Sequence, residues 1–132
     1  MWPWKEKIQP KTVIKNVLGE TLLEVPARDL SEIDLSNRDL RHVCLKGLTL
    51  WKVNLENSNL LGADARGTSF QKCNMKGVEL SFSNCTSADF RGSDLDGCLM
   101  YRSETWNAHF DQAIISQASD IPGIYVSRRR EI

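Results

Sequence analysis

The hydrophobic positions of this chain recur every five residues over most of its length. Counted from Leu30, fifteen of eighteen successive central positions carry Leu, Phe, Met or Ile. A small or β-branched residue usually stands two positions before the centre, Asp or Asn commonly lies between them, and glycine often follows two positions after it. Because five matches neither the 3.6-residue period of an α-helix nor the two-residue period of a flat strand, the pattern predicts a chain that turns a corner every five residues.

Within each unit, the centre and the small residue two positions earlier are expected to point inward, since alternate residues of an extended segment share a face. The intervening Asp or Asn should point outward or bond nearby backbone. Glycine suits the corner because it tolerates unusual backbone angles. The stretch Ala88-Asp89-Phe90-Arg91-Gly92 shows this pattern at its most regular. A fixed period sustained over eighteen units indicates a solenoid.

Residues 28 to 115 resemble the pentapeptide-repeat family, whose pattern is A(D/N)LXX. The resemblance implies an all-β fold, a right-handed quadrilateral β-helix with four pentapeptides in each coil. Eighteen units would then form about four and a half coils, and residues twenty apart would stack. One interior column would consist of Leu30, Leu50, Phe70, Phe90 and Phe110.

The chain before the repeat predicts an N-terminal β-hairpin cap at residues 1–27. Its two β-prone runs are Thr12–Val17 and Glu20–Val25, with Leu18-Gly19 between them. The repeat β-helix is assigned to residues 28–117. A C-terminal capping segment with a basic tail is assigned to residues 118–132. Solenoids need their open ends covered, which favours a capping role for both segments.

The pattern weakens at both ends of the repeat. Arg28 and Arg38 occupy small inward positions, so either the first coil is irregular or these side chains leave it under the hairpin. At the other end, Ser119–Gly123 is expected to break the pattern, with a turn at Pro122-Gly123. Ile124–Val126 would then form a short covering strand, followed by three consecutive arginines in a solvated tail.

The composition indicates which kinds of partner the protein is expected to bind. The chain has 17 Lys plus Arg and 17 Asp plus Glu, so its formal charge is zero and direct nucleic-acid binding is not expected. No apolar run approaches the ~18 residues of a membrane span, and no apolar signal-peptide region opens the sequence. A cytoplasmic protein without a membrane partner is therefore expected.

Residues that could carry chemistry are few and scattered. None of the four cysteines forms a CxxC pair, and three of them fall at inward positions, so reduced core thiols are expected. His42 and His109 lie on the outside and far apart in the predicted stack. The sequence predicts a protein that is not an enzyme, with no catalytic residue, no metal and no cofactor.

One group of residues departs from the repeat in an informative way. On the third face, large apolar or aromatic residues occupy outward positions, and an aromatic residue begins the neighbouring face. The candidate interaction patch consists of Leu61, Phe82, Leu99, Tyr101 and Trp106. Exposed clusters of this kind mark interaction sites, although a folded-back terminus covering the patch would make it part of the core. Trp51, on the first face, is interpreted as ordinary surface.

Three functions remain open from the sequence. The first is a non-catalytic protein–protein interaction module that binds a protein partner or forms a homodimer. The second follows from the resemblance, since some family members mimic B-form DNA and bind DNA gyrase or topoisomerase, conferring quinolone resistance. The repeat region, however, has 12 acidic and 10 basic residues and no continuously acidic outer column. The third is a structural component of a larger assembly, such as a phage or effector particle; a bacterial or phage source is expected.

Overall fold

A computed structural model of the chain describes residues 11–26, 29–116 and 118–124. The strands within these residues are β1 (Thr12–Asn16), β2 (Thr21–Val25) and β3 (Val43–Cys44). Below β3, isolated parallel bridges continue the sheet structure down the chain. No described segment forms a helix with the length and hydropathy needed to cross a membrane.

The repeat forms a four-sided coil of twenty residues. Parallel bridges join Asp34 to Asn54, Asn54 to Asn74 and Asn74 to Asp94, each pair twenty residues apart. The Leu55 N–H donates to the Asn74 carbonyl at 2.8 Å, and equivalent bonds recur on every side. The predicted stacking is therefore confirmed. We number the faces by their central residues at Leu50, Leu55, Leu60 and Ala65, and call the N-terminal end the upper end.

Each side ends in a β-turn that starts at the central residue. At one such corner the Val78 N–H donates to the Met75 carbonyl, and Gly77 between them has φ 64°. Glycine is favoured there, because a Cβ would lie 2.3 Å from the Asn57 Oδ1 atom of the coil above unless that side chain moved. Other corners hold a side chain in the same left-handed conformation, including Phe82 with φ 58°.

The interior is filled by the predicted centres. Those from Leu30 to Met100 are all buried. Phe70, Phe90 and Phe110 stack with ring centroids 5.0 Å apart and interplanar angles of 8° and 5°. Phe110 is only half-buried, since it lies in the lowest coil.

The small inward positions bury polar side chains by satisfying backbone carbonyls. The Thr68 Oγ1 donates to the Leu45 carbonyl of the coil above at 2.8 Å. The outward Asp and Asn residues also act on backbone, as one of the two expected roles. The Asp89 Oδ1, for example, accepts the Arg91 N–H at 3.0 Å. These carboxylates are thus accounted for by turn structure.

The hairpin of β1 and β2 extends the sheet above the fourth face. β1 pairs antiparallel with both β2 and β3, and Lys15 lies opposite Cys44. Ile14 is 1% exposed and belongs to the same apolar core as the coils. The Val17 N–H donates to the His42 carbonyl at 2.8 Å, which places the hairpin turn at the corner between the third and fourth faces.

The lower end corrects one expectation. The bridge from Leu99 reaches Asp120, twenty-one residues away, so the last coil contains one extra residue. Beyond that residue, the Ser119 Oγ donates to the Leu95 carbonyl at 2.6 Å and Ile121 is 4% exposed in the core. The prediction that Ser119–Gly123 breaks the pattern is therefore wrong for Ser119-Asp120-Ile121, which form a further repeat displaced by one residue. The turn predicted at Pro122-Gly123 is present, and the Ile124 N–H donates to the Ile121 carbonyl across it at 3.1 Å.

Of the two arginines predicted at inward positions, the structure describes Arg38. Arg38 is exposed, and its N–H donates to the Ser58 Oγ at 3.1 Å, so its side chain leaves the first coil while the backbone keeps its register. Four predictions fall wholly or partly outside the described residues. They concern Arg28, residues 1–10 of the predicted cap, residues 125–126 of the strand predicted at Ile124–Val126, and the basic tail.

Candidate interaction surface

The structure places four of the five predicted site residues on the surface. Phe82 is 56% exposed, Leu99 41%, Tyr101 53% and Trp106 75%. Leu61 is half-buried, and it shares its column of outward positions with Ser81 and Tyr101, one coil apart each. We call Leu61, Phe82, Leu99 and Tyr101 the third-face patch.

Two aromatic rings of the third-face patch touch. Phe82 and Tyr101 meet edge to face, with centroids 5.9 Å apart and planes at 84°. The Arg102 guanidinium lies 5.6 Å from the Tyr101 ring centroid. The structure does not bring Trp106 to this pair, and among the described residues it makes no ring contact with Tyr101. It follows the fourth-face centre Thr105 and lies in the column of Arg66, at the far edge of the fourth face. The patch thus has an aromatic centre and one cation at its edge.

Phe82 has an unfavourable backbone conformation. Its φ of 58° lies in the left-handed region, which costs a bulky L-residue about 1–2 kcal/mol. Glycine occupies the equivalent corner one coil above, at Gly62. The ring also remains more than half exposed, so burial does not compensate for the strain. Ten other described non-glycine corner residues share this conformation, so it belongs to the repeat; Phe82 differs from them in placing a large apolar ring there that stays exposed.

Leu99 stands where the repeat normally supplies a turn-capping oxygen. On the coil above, the Glu79 Oε1 fills this role by accepting the Ser81 N–H at 2.8 Å. Leucine has no acceptor, and the Tyr101 N–H instead donates to the Ser81 Oγ at 3.2 Å. Ser81 is 6% exposed, so its hydroxyl lies beneath the patch. The turn therefore remains capped while an apolar side chain faces solvent.

Sequence reasoning missed four exposed apolar residues, of which Val13 lies on β1. Ile114, 59% exposed, replaces Asp or Asn on the second face, and the rule that identified Leu99 would have found it. Val17 and Leu18, 51% and 81% exposed, form the hairpin turn. The bond from Val17 to His42 places that turn at the top of the corner that carries Phe82 two coils lower.

Three of the four cysteine thiols are buried, which affects their reactivity. Burial raises the pKa of Cys73 to about 12 and that of Cys85 to about 11, and it raises the pKa of Cys98 as well. These thiols are therefore protonated at neutral pH and poor nucleophiles. Within the described ranges, no group of three or more His, Cys, Asp or Glu residues could hold a metal ion.

Surface carboxylates pair with arginines two residues along the chain. The Arg91 Nη2 lies 2.7 Å from the Asp89 Oδ2, and this hydrogen bond lowers the pKa of Asp89. Arg66 and Asp64 form an equivalent pair at 2.7 Å, with the same effect on the pKa of Asp64. Both pairs stabilise corners, and neither gathers carboxylates into a site for acid–base chemistry.

Comparisons with known proteins agree with this architecture. Residues 50–81 match the family model described as pentapeptide repeats (8 copies). The crystal structure of HetL, from the cyanobacterium Nostoc sp. strain PCC 7120, is similar with a TM-score of 0.66 and 22% identity. HetL is described as a pentapeptide repeat protein involved in the regulation of heterocyst differentiation. The match covers 71% of this chain and 45% of HetL, so the chain spans less than half of HetL's length.

Two further solved structures are more distant. Rfr23, a pentapeptide repeat protein from the cyanobacterium Cyanothece 51142, has a TM-score of 0.45 and 18% identity, with 81% of this chain and 76% of Rfr23 covered. QnrB1, a plasmid-mediated fluoroquinolone resistance protein, has a TM-score of 0.33 and 16% identity, with 67% and 50% covered. A search of curated protein sequences finds no match.

The period, the twenty-residue coil and the family match define one class of protein. Residues 50–81 carry pentapeptide repeats, and the chain has the fold of a pentapeptide-repeat protein. Its fold is the right-handed quadrilateral β-helix, as the sequence predicts, and it bears an N-terminal hairpin.

Proposed function

We propose that this chain is a non-catalytic interaction module that binds a protein partner, or a second copy of itself, through the third-face patch. The observation that carries the proposal is Phe82, whose strained backbone and exposed ring destabilise the isolated chain. A residue that combines both disadvantages is explained if the ring is buried in a complex.

The size of the patch supports this function. Aromatic side chains bury 150–250 Å² each, so the exposed fractions of Phe82, Leu99 and Tyr101 amount to roughly 300 Å². A standard interface buries about 800 Å² on each partner, with an apolar centre and a polar rim. The patch therefore suits the centre of an interface, and Arg102 would contribute to its rim.

Mimicry of DNA has less support in this chain. The outer column of the second face, which is the nearest to an acidic stripe, reads Asp34, Asn54, Asn74 and Asp94. Two of its four members are neutral, and the Lys76 Nζ lies 3.6 Å from the Asp94 Oδ2. A duplex presents one negative charge per ~1.7 Å of its axis, which is far denser than this column.

The test compares Leu99→Asp with Ile114→Asp. Both changes place the usual acidic residue at the same repeat position, but only Leu99 belongs to the third-face patch. We expect Leu99→Asp to abolish self-association in sedimentation, or to weaken at least tenfold the binding of a purified partner obtained by affinity capture. Ile114→Asp should change neither. Equal effects of the two variants, or none, would contradict the proposed function, and gyrase inhibition with no self-association would favour mimicry.

Phe82→Asn separates binding from folding in the same assays. Asparagine already occupies the left-handed corner at Asn57, with φ 58°. Relief of strain should offset the lost contact with Tyr101, which is worth about 0.5–1.5 kcal/mol. We therefore expect an unchanged or slightly higher free energy of unfolding together with lost association. A large loss of stability would show that the ring serves the fold.

A further inference from the structure

The upper half of the first face carries two lysines without an acidic partner. Lys52 and Lys72 occupy successive coils at the corner that follows Trp51, and both are exposed. Neither ammonium forms an ion pair within the described part of the chain. Glu32 stands one coil above Lys52 at the same corner, and it too forms no ion pair there.

This lack of neutralisation is encoded by the repeat. Elsewhere in the coils, several basic residues take partners from the outward Asp position, as Arg66 does with Asp64 and Lys76 with Asp94. Arg38, Lys46 and Arg102, like the two lysines, form no ion pair among the described residues. On the first face, Thr49 and Ser69 occupy that position in adjacent coils and are joined by a parallel bridge. Hydroxyl groups replace carboxylates there, so the lysines keep their full charge.

Trp51 gathers the two ammonium groups. The Lys52 Nζ lies 5.7 Å and the Lys72 Nζ 5.0 Å from the centre of the half-buried indole ring. An aromatic face attracts a cation but does not neutralise it. The indole therefore holds both charges close together on a rigid support, where one ligand can meet them simultaneously.

The charge of this face contrasts with that of the whole chain. Residues 45–52 and 65–72, which form the face and its two corners over two coils, contain four basic residues and no acidic one. The complete chain has a formal charge of zero. Lys46 and Arg66 border the opposite edge of the face. Because Arg66 pairs with Asp64, the uncompensated charge of these two coils lies at the edge that carries Lys52 and Lys72, diagonally across the coil from Phe82.

We propose that this surface, formed by Thr49, Trp51, Lys52, Ser69 and Lys72, binds an acidic segment of a protein partner. We call it the lysine surface. Complementary charge fits a peptide with a few Asp or Glu residues, whose alternate side chains in extended form share one face. Nucleic-acid binding commonly uses 6–10 phosphate contacts, and lipid-binding clusters have 4–8 basic residues, both more than the two unpaired ammoniums here.

The proposal goes beyond the third-face patch. The first and third faces are opposite sides of the four-sided coil, so a segment on the lysine surface leaves the patch accessible. The chain would then connect two partners, one recognised by charge and one by apolar contact. Loss of either site should leave the other intact, which makes the two proposals separable by experiment.

The test uses a fluorescein-labelled octapeptide of alternating Glu and Ser, with a Gln-and-Ser peptide as its neutral counterpart. Fluorescence anisotropy at low salt should show binding of the Glu peptide alone, weakening as salt reduces the Debye length to about 8 Å. Lys52→Gln with Lys72→Gln should weaken binding about tenfold, since exposed charge pairs contribute modestly. The Trp51→Phe variant should lose the change in indole fluorescence that binding produces.

The matched control removes two charges elsewhere, by Lys11→Gln with Lys76→Gln. We expect this variant to keep most of the affinity, and circular dichroism to show equal thermal midpoints for both double variants. Equal losses of affinity would overturn the proposal by showing non-specific attraction. Failure of the wild-type chain to bind the Glu peptide, or tighter binding of a uridine oligonucleotide than of the peptide, would overturn it as well.

Discussion

Replacing Phe90 with alanine removes the middle ring of the three-ring stack inside the solenoid. Phe90 is fully buried and lies 5.0 Å from both Phe70 and Phe110. A buried Phe→Ala change costs about 3–5 kcal/mol, because it combines lost transfer energy with a cavity. The loss of two ring contacts places Phe90 near the upper end of that range.

The assay is urea unfolding followed by circular dichroism, with the three phenylalanines compared under one set of conditions. Phe110→Ala removes a half-buried ring with a single stacking partner, so we expect it to cost clearly less than Phe90→Ala. Phe82→Ala serves as the exposed control and should change the free energy of unfolding by under ~1 kcal/mol.

A conservative variant keeps the prediction testable if Phe90→Ala fails to fold. Leucine occupies the same interior column at Leu30 and Leu50, so Phe90→Leu fits the column while leaving a smaller cavity. We expect it to cost about 1–2 kcal/mol. A cost of Phe90→Ala no greater than that of Phe110→Ala would refute the column as the origin of stability.

Two further predictions concern ionisation. Because the hydrogen bond from Arg91 lowers the folded-state pKa of Asp89, its stabilisation is complete above the unfolded value of about 3.9 and is lost as pH falls through the folded pKa. Asp89→Asn, which keeps the backbone acceptor, should therefore reduce the decline in the free energy of unfolding below about pH 4; an unchanged pH profile would refute this. Cys44 is the half-buried thiol, so at pH 8 a disulfide reagent should titrate one thiol quickly and the other three at least about a hundredfold more slowly, with four equal rates as the contradicting result.

Much of the fold could be predicted because the period of the sequence equals the period of the structure. The columns that contain Phe90 and Leu95 follow from counting in twenties, and their burial confirms the count. Ile121 could not be placed this way, because the extra residue before Ser119 shifts the frame by one. A fixed frame treats Ser119-Asp120-Ile121 as irregular, although its residue types fit the repeat.

The sequence identified residues of the candidate surface, but it did not show how the turns accommodate them. Leu99 and Tyr101 stand out in sequence because they replace polar residues, and the structure exposes both. The compensating role of Ser81 depends on its bond to Tyr101, twenty residues away, and becomes visible only when the coils are stacked. The strain at Phe82 likewise requires the corner geometry. The lysine surface was overlooked because Trp51, considered alone, is unremarkable.

The spacing between adjacent coils has a consequence for how such a chain can change length during evolution. Since each residue rests on the one twenty positions earlier, duplication or loss of one whole coil leaves all other side chains in their columns. A single inserted residue instead shifts every later residue out of its column. The extra residue found here lies between Ile114 and Asp120, beneath nearly all of the stack, where few later contacts depend on the frame. Tolerance to insertion should therefore increase steadily toward the lower end.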